Sequence, residues 1–102
     1  MREEKESDIE KAFVATVKKM GARCLKLSFQ GTDGAYDRLL LMRGYHCFIE
    51  FKRSPKHKLS PQQRLIGKQL RAAGCNTAVI DCIQDAKQFI AALVILDKTV
   101  RS

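Results

Sequence analysis

The chain has no tryptophan and only two tyrosines, Tyr36 and Tyr45, in 102 residues. Recognition of single strands by stacking bases on aromatic platforms is therefore not expected. Cysteine is present but not in the patterns that carry chemistry. Cys24, Cys47, Cys75 and Cys82 form no C-x-x-C pair, and no histidine stands at zinc-ligand spacing from them. A disulfide framework is not expected at this density. Cys24, Cys47 and Cys75 fall in or beside apolar segments, where free cysteine behaves as a small core residue. There is no internal repeat, no low-complexity run, no secretory signal and no apolar stretch long enough to span a membrane. An intracellular, non-membrane protein is the expectation.

Negative charge is also in short supply. Eleven acidic residues stand against nineteen Lys and Arg, giving a formal net charge of +8 and a pI near 9.6. That excess favours a polyanionic partner such as nucleic acid. With few rings for stacking, recognition of duplex shape through phosphates fits best. The 45% hydrophobic content and scattered charge fit a single folded domain over residues 1–102, with its core at about 7–96.

Periodicity sets the order of elements. Ile9, Phe13, Val17 and Met20 repeat at helical spacing, which predicts a first helix from about Asp8 to Met20. Ser7 is its expected N-cap and Gly21 its stop. A strand follows near Arg23–Phe29, with Leu25, Leu27 and Phe29 on one face, and then a glycine-rich loop, Gln30–Gly34. Strands near Asp37–Met42 and Tyr45–Lys52 flank a two-residue turn at Arg43-Gly44. Arg53–Leu59 is a basic loop. Ser60 and Pro61 open a second helix that ends near Ala73, with Gly74 as its stop. Thr77–Asp81 reads as a short strand, and about Gln84–Leu96 as a last helix with Phe89, Ile90 and Leu93 facing the core. Met1–Glu6 and Lys98–Ser102 read as frayed, charged ends. The fold class is α/β in the order α-β-β-β-α-β-α. The crossover after Lys52 is long enough to make the last strand parallel to the third. Leu40, Met42, Cys47, Ile49 and Phe51 take one sheet face, while Leu39, Leu41 and Phe48 take the other. Apolar residues on both faces predict a sheet covered by helices on both sides.

The hairpin carries the chemistry. A turn at Arg43-Gly44 pairs Met42 with Tyr45, and the same register sets Asp37 opposite Glu50. The two side chains then share a face, with Cβ atoms roughly 5 Å apart. Carboxylates held that close repel one another, and a divalent cation between them is the usual reason to tolerate it. Lys52 lies on the same face, two residues beyond Glu50. Glu50 is also flanked by Cys47-Phe48-Ile49 and Phe51, where an unpaired carboxylate is costly to bury. Such a set suits metal-assisted phosphodiester hydrolysis. A structural Glu50–Lys52 ion pair is the plainer alternative.

Glu10 in the first helix, Gly34-x-x-Asp37, Glu50-x-Lys52 and Leu59-Ser60-Pro61-x-Gln63 together resemble the VRR-NUC domain, a branch of the PD-(D/E)XK nucleases. The resemblance spans about residues 7–96. It implies a restriction-endonuclease-like core with a mixed sheet flanked by helices, which agrees with the order read from periodicity. It further implies Asp37, Glu50 and the Phe51 main-chain carbonyl as metal ligands, with Glu10 reaching the metal through water. Lys52 would act on the attacking water and Gln63 would support the site. The family usually has proline before the aspartate. Here Tyr36 stands in its place, which removes a backbone restraint but no chemistry.

Local sequence offers competing roles for two of these residues. Ser7-x-x-Glu10 and Ser60-x-x-Gln63 both read as capping boxes, in which the N3 side chain bonds back to the cap. The basic loop residues Arg53, Lys56 and Lys58, with Arg38, Lys26 and Arg23, are candidates for phosphate contacts. His46 shares the carboxylate face and His57 lies in the basic loop, but neither is assigned a role. The resulting expectation is a Mg²⁺-dependent endonuclease, with Mn²⁺ also acceptable to oxygen ligands. Stand-alone domains of this kind resemble homodimeric four-way (Holliday) junction resolvases. The alternatives are a flap or other branched-DNA nuclease, a non-catalytic DNA-binding module, and a subunit of a larger repair or restriction assembly.

Overall fold

A computed structural model describes residues 6–28, 36–52 and 59–101. The elements are α1 (Glu6–Lys19), β1 (Arg23–Lys26), β2 (Arg38–Met42), β3 (Tyr45–Phe51), α2 (Pro61–Ala72), β4 (Thr77–Ile80) and α3 (Ile83–Arg101). This is the expected order. The strands form one sheet, β1-β2-β3-β4, in which the last pair is parallel and the others antiparallel.

The hairpin register is the one the turn predicts, with Met42 opposite Tyr45 and Arg38 opposite Ile49. Arg43 and Gly44 both have positive φ, 46° and 86°. Positive φ at both central residues is the type I′ turn, whose twist matches that of the flanking strands. Arg43 takes this conformation without being glycine, and its guanidinium reaches Asp97 of α3 at 2.7 Å. That ion pair ties the hairpin tip to the last helix.

Period-2 alternation then sorts the sheet. Leu40, Met42, Cys47, Ile49 and Phe51 are almost fully buried, beneath Ile9, Phe13 and Val17 of α1 and Ala86 and Leu93 of α3. Phe13 is central to this layer. Its ring meets Phe51 edge-on at 5.5 Å and Phe89 at 5.6 Å. All four cysteines are free thiols, and Cys47 is the buried one. Burial pushes the Cys47 thiol up to about 11, as suits an inert core residue.

The opposite face departs from expectation. Among the described residues, α2 meets the sheet at Glu50, through Gln63, and along β4, where Arg71 donates to the Thr77 hydroxyl at 2.9 Å. Leu39, Leu41, His46 and Phe48 line an open trough of about 570 Å³ instead of a sealed layer. Alternation showed that this face was apolar, but the short crossover helix does not reach across it.

Other boundaries also moved. Helix α1 begins at Glu6, so Ser7 lies inside it rather than capping it. Strand β1 ends at Lys26, and Phe29 lies outside the described residues. Beyond β1 the chain still pairs, through Leu27 N–H to the Asp37 carbonyl at 2.7 Å. Helix α3 continues to Arg101, well past Leu96, so residues 98–101 are helical rather than frayed. Leu96 packs on the core and the Thr99 hydroxyl bonds back to the Ile95 carbonyl, which support the added turn. The start and stop of α2 are as read, with Ser60 as N-cap, Pro61 in the first turn and Gly74 at positive φ beyond the end.

Candidate metal centre

Glu50 is 4% exposed, in the middle of β3. Its Oε2 accepts from the Gln63 amide at 2.8 Å and faces the Lys52 ammonium at 3.2 Å. Its Oε1 is buried and has no hydrogen-bond partner. A buried carboxylate oxygen left in that state is costly. Asp37 stands beside it, near enough for each carboxyl group to shift the ionisation of the other. Burial, then the Asp37 charge, pushes the Glu50 carboxyl up to about 7, against the lowering effects of Lys52 and Gln63. Asp37 is raised too, by burial first and then by Glu10, with Glu50, Lys52 and Lys26 acting the other way. Two acids that both resist ionisation, one with an unsatisfied oxygen, form an oxygen-donor pair whose charge a cation would offset. Oxygen donors of this kind fit a hard divalent ion.

Gln63 resolves a conflict that sequence left open. Its Oε1 accepts from the Ser60 N–H at 3.0 Å, completing the capping box, while its Nε2 donates to Glu50. An amide has an acceptor end and a donor end, so one side chain serves both tasks.

Glu10 does not cap α1. Its carboxylate takes the Arg38 Nε–H at 2.6 Å, and it lies near enough to Asp37 to raise that group. Arg38 also donates to the Cys24 carbonyl at 3.4 Å and is only 18% exposed. Alternation turns Arg38 to the α1 side of the sheet, so its guanidinium is engaged by Glu10 rather than offered to a phosphate. Of the other basic candidates, Lys26 and Arg23 are exposed on β1, and Arg23 sits at the trough. Arg53, Lys56 and Lys58, with His57, lie outside the described residues. Phe51 ends β3, with its side chain in the core beside Phe13.

Sequence reading did not single out the Asp81–Cys82–Asp85 group at the β4–α3 turn, where three donor atoms lie within 4.8 Å of one another. Its members satisfy each other. The Asp85 N–H donates to Cys82 Sγ at 3.4 Å, and a hydrogen bond with Asp85 raises the Asp81 carboxyl. This is the pattern of a helix start. Sequence reading also missed the structural part played by Tyr36, which is 1% exposed and packs on Gly67.

A mixed four-stranded sheet between helices, with Asp37, Glu50 and Lys52 gathered at one end of the hairpin, defines a nuclease-type fold of the restriction-endonuclease class. A solved structure described as "VRR_NUC domain" superposes on this chain with a TM-score of 0.80 and 29% sequence identity, covering 86% of this chain and 96% of that one. Over most of its length the chain is thus similar in fold and sequence to a VRR-NUC domain. No protein-family model and no curated protein matches it.

Proposed function

We propose that this domain is a divalent-metal-dependent endonuclease that hydrolyses phosphodiester bonds in branched DNA. The observation that carries the reading is the partnerless, buried Glu50 Oε1 next to Asp37. Asp37, Glu50 and the Phe51 carbonyl would hold Mg²⁺, with Mn²⁺ also acceptable and Glu10 contributing through water. When bound, such an ion lowers the pKa of water and offsets charge on the scissile phosphate.

The protein's own groups supply the rest. Gln63 fixes one oxygen of Glu50, leaving the other free to bind. Lys52 keeps its ammonium at the same carboxylate, where it can orient water and offset developing negative charge. Arg38 holds Glu10 at the edge of the site. The basic surface attracts the polyanion without reading sequence.

One domain offers one such centre, and symmetric cutting of a four-way junction needs two. We therefore favour a two-fold homodimer acting as a junction resolvase. Matched duplex, flap and four-way substrates, incubated with and without Mg²⁺, test the reading. Four-way DNA should be cut in paired positions, only with the metal, and not by Asp37→Ala, which should still bind DNA. Light scattering of the purified protein should give twice the chain mass. Cleavage that persists in EDTA, or survives Asp37→Ala, refutes the metal centre. Preference for flaps would leave the centre standing and change the substrate.

A further inference from the structure

We propose that Tyr36 is the positioning residue for Asp37, and that it acts through Gly67 of α2. The proposal deepens the reading above and rests on it for its metal-binding consequence.

Tyr36 is the largest fully buried side chain among the described residues and directly precedes Asp37. Its hydroxyl lies against Gly67. A Cβ built on Gly67 would sit 2.5 Å from the Tyr36 Oη and 3.3 Å from its Cζ, so no larger residue fits without moving the ring. Gly67 has no unusual backbone conformation. It lies inside a helix, where glycine costs about 1 kcal/mol relative to alanine. The glycine is needed for space.

Helix α2 buries only two of its residues, Gln63 and Gly67. They are one turn apart and therefore on one face. Gln63 holds Glu50 by a hydrogen bond. Gly67 receives the residue before Asp37. A single helix face thus sets the position of both carboxylates, one within β3 and the other just before β2. Asp37 is also gripped from the other side, where its carbonyl takes the Leu27 N–H at 2.7 Å. With Tyr36 wedged and Leu27 bonded, the Asp37 main chain is fixed on both flanks.

The test uses Gly67→Ala, Tyr36→Phe/Gly67→Ala and Tyr36→Ala in the full chain, with circular dichroism to verify folding. Two readouts are taken: Mn²⁺ affinity by calorimetry, and exchange of the Leu27 amide in EDTA. Gly67→Ala should weaken Mn²⁺ about tenfold and speed Leu27 exchange. Removing the hydroxyl in the double variant should restore most of both, which a general loss of helix packing would not do. Tyr36→Ala, with Gly67 intact, should reproduce the single-variant losses and covers the case in which Gly67→Ala does not fold. Wild-type values in Gly67→Ala or Tyr36→Ala overturn the proposal, as does a double variant that fails to recover. If Leu27 exchange follows the expected pattern but the wild type binds no Mn²⁺, the positioning stands and the metal reading falls.

Discussion

Replacing Glu50 by glutamine should make the metal-free protein more stable at alkaline pH while removing its response to metal. In the folded state the Glu50 carboxyl sits at about 7, against an ordinary value of 4.5. The native protein therefore holds a proton that the unfolded chain has already released across that window. Stability must fall as pH rises from about 4.5 to 7, and the loss is complete above the folded value. At about 1.4 kcal/mol per pH unit, a rise of this size is on the order of 3 kcal/mol. Asp37 is raised as well, so the window belongs to the pair rather than to Glu50 alone. Glutamine keeps the shape, can accept from Gln63 and Lys52, and can donate to Asp37. In EDTA at pH 8.5, Glu50→Gln should exceed the wild type by roughly 2–3 kcal/mol, or about 10 °C or more in Tm for a domain of this size. At pH 5 most of the gap should close. Millimolar Mn²⁺ should raise the wild-type Tm by mass action and leave the variant unmoved. Urea and thermal unfolding followed by circular dichroism measure all of this. A variant no more stable than the wild type at pH 8.5 would refute the claim that these acids are held at a cost that a cation relieves.

Three further outcomes are expected. Lys52→Ala should lose two to three decades of cleavage rate with DNA affinity nearly unchanged, since it removes a donor at the developing charge; single-turnover kinetics and a binding assay separate the two. Arg38→Ala should lower stability by about 1–2 kcal/mol, because it strands the half-buried Glu10, and should leave the salt dependence of DNA binding intact. If Arg38 contacts a phosphate instead, the salt slope drops by about 1. For the wild type, contact with about six phosphates gives a slope of log K on log salt near −5, and a flat response would remove the basic surface from the interface.

Several of these features are legible in the sequence alone. The Arg43-Gly44 turn, read from two residues between alternating apolar runs, sets the register of the hairpin. With period-2 alternation it determines which residues share a face, and so brings Asp37 to Glu50. Ser60-Pro61 and Gln63 mark a helix start because capping chemistry is local. The core stripe Ile9, Phe13 and Val17 follows from helical spacing alone.

What local pattern could not settle was which of two partners a side chain takes when one is distant in sequence. Glu10 has a capping geometry available three residues away, yet it pairs with Arg38, twenty-eight residues on, which the sheet delivers to α1. Arg38 is a free cation on paper and a buried-side ion partner in the fold. Gln63 was an unresolved choice until α2 docked on Glu50 and gave each end of its amide a bond. The reach of α2 over the sheet, the open trough beside it and the wedge of Tyr36 on Gly67 all depend on how a helix settles against a surface. Sequence by itself therefore determined the elements, the hairpin register and the pair of acids. Tertiary structure decided which neighbours hold those acids, because hydrogen bonds and close packing form between surfaces whose approach no single segment encodes.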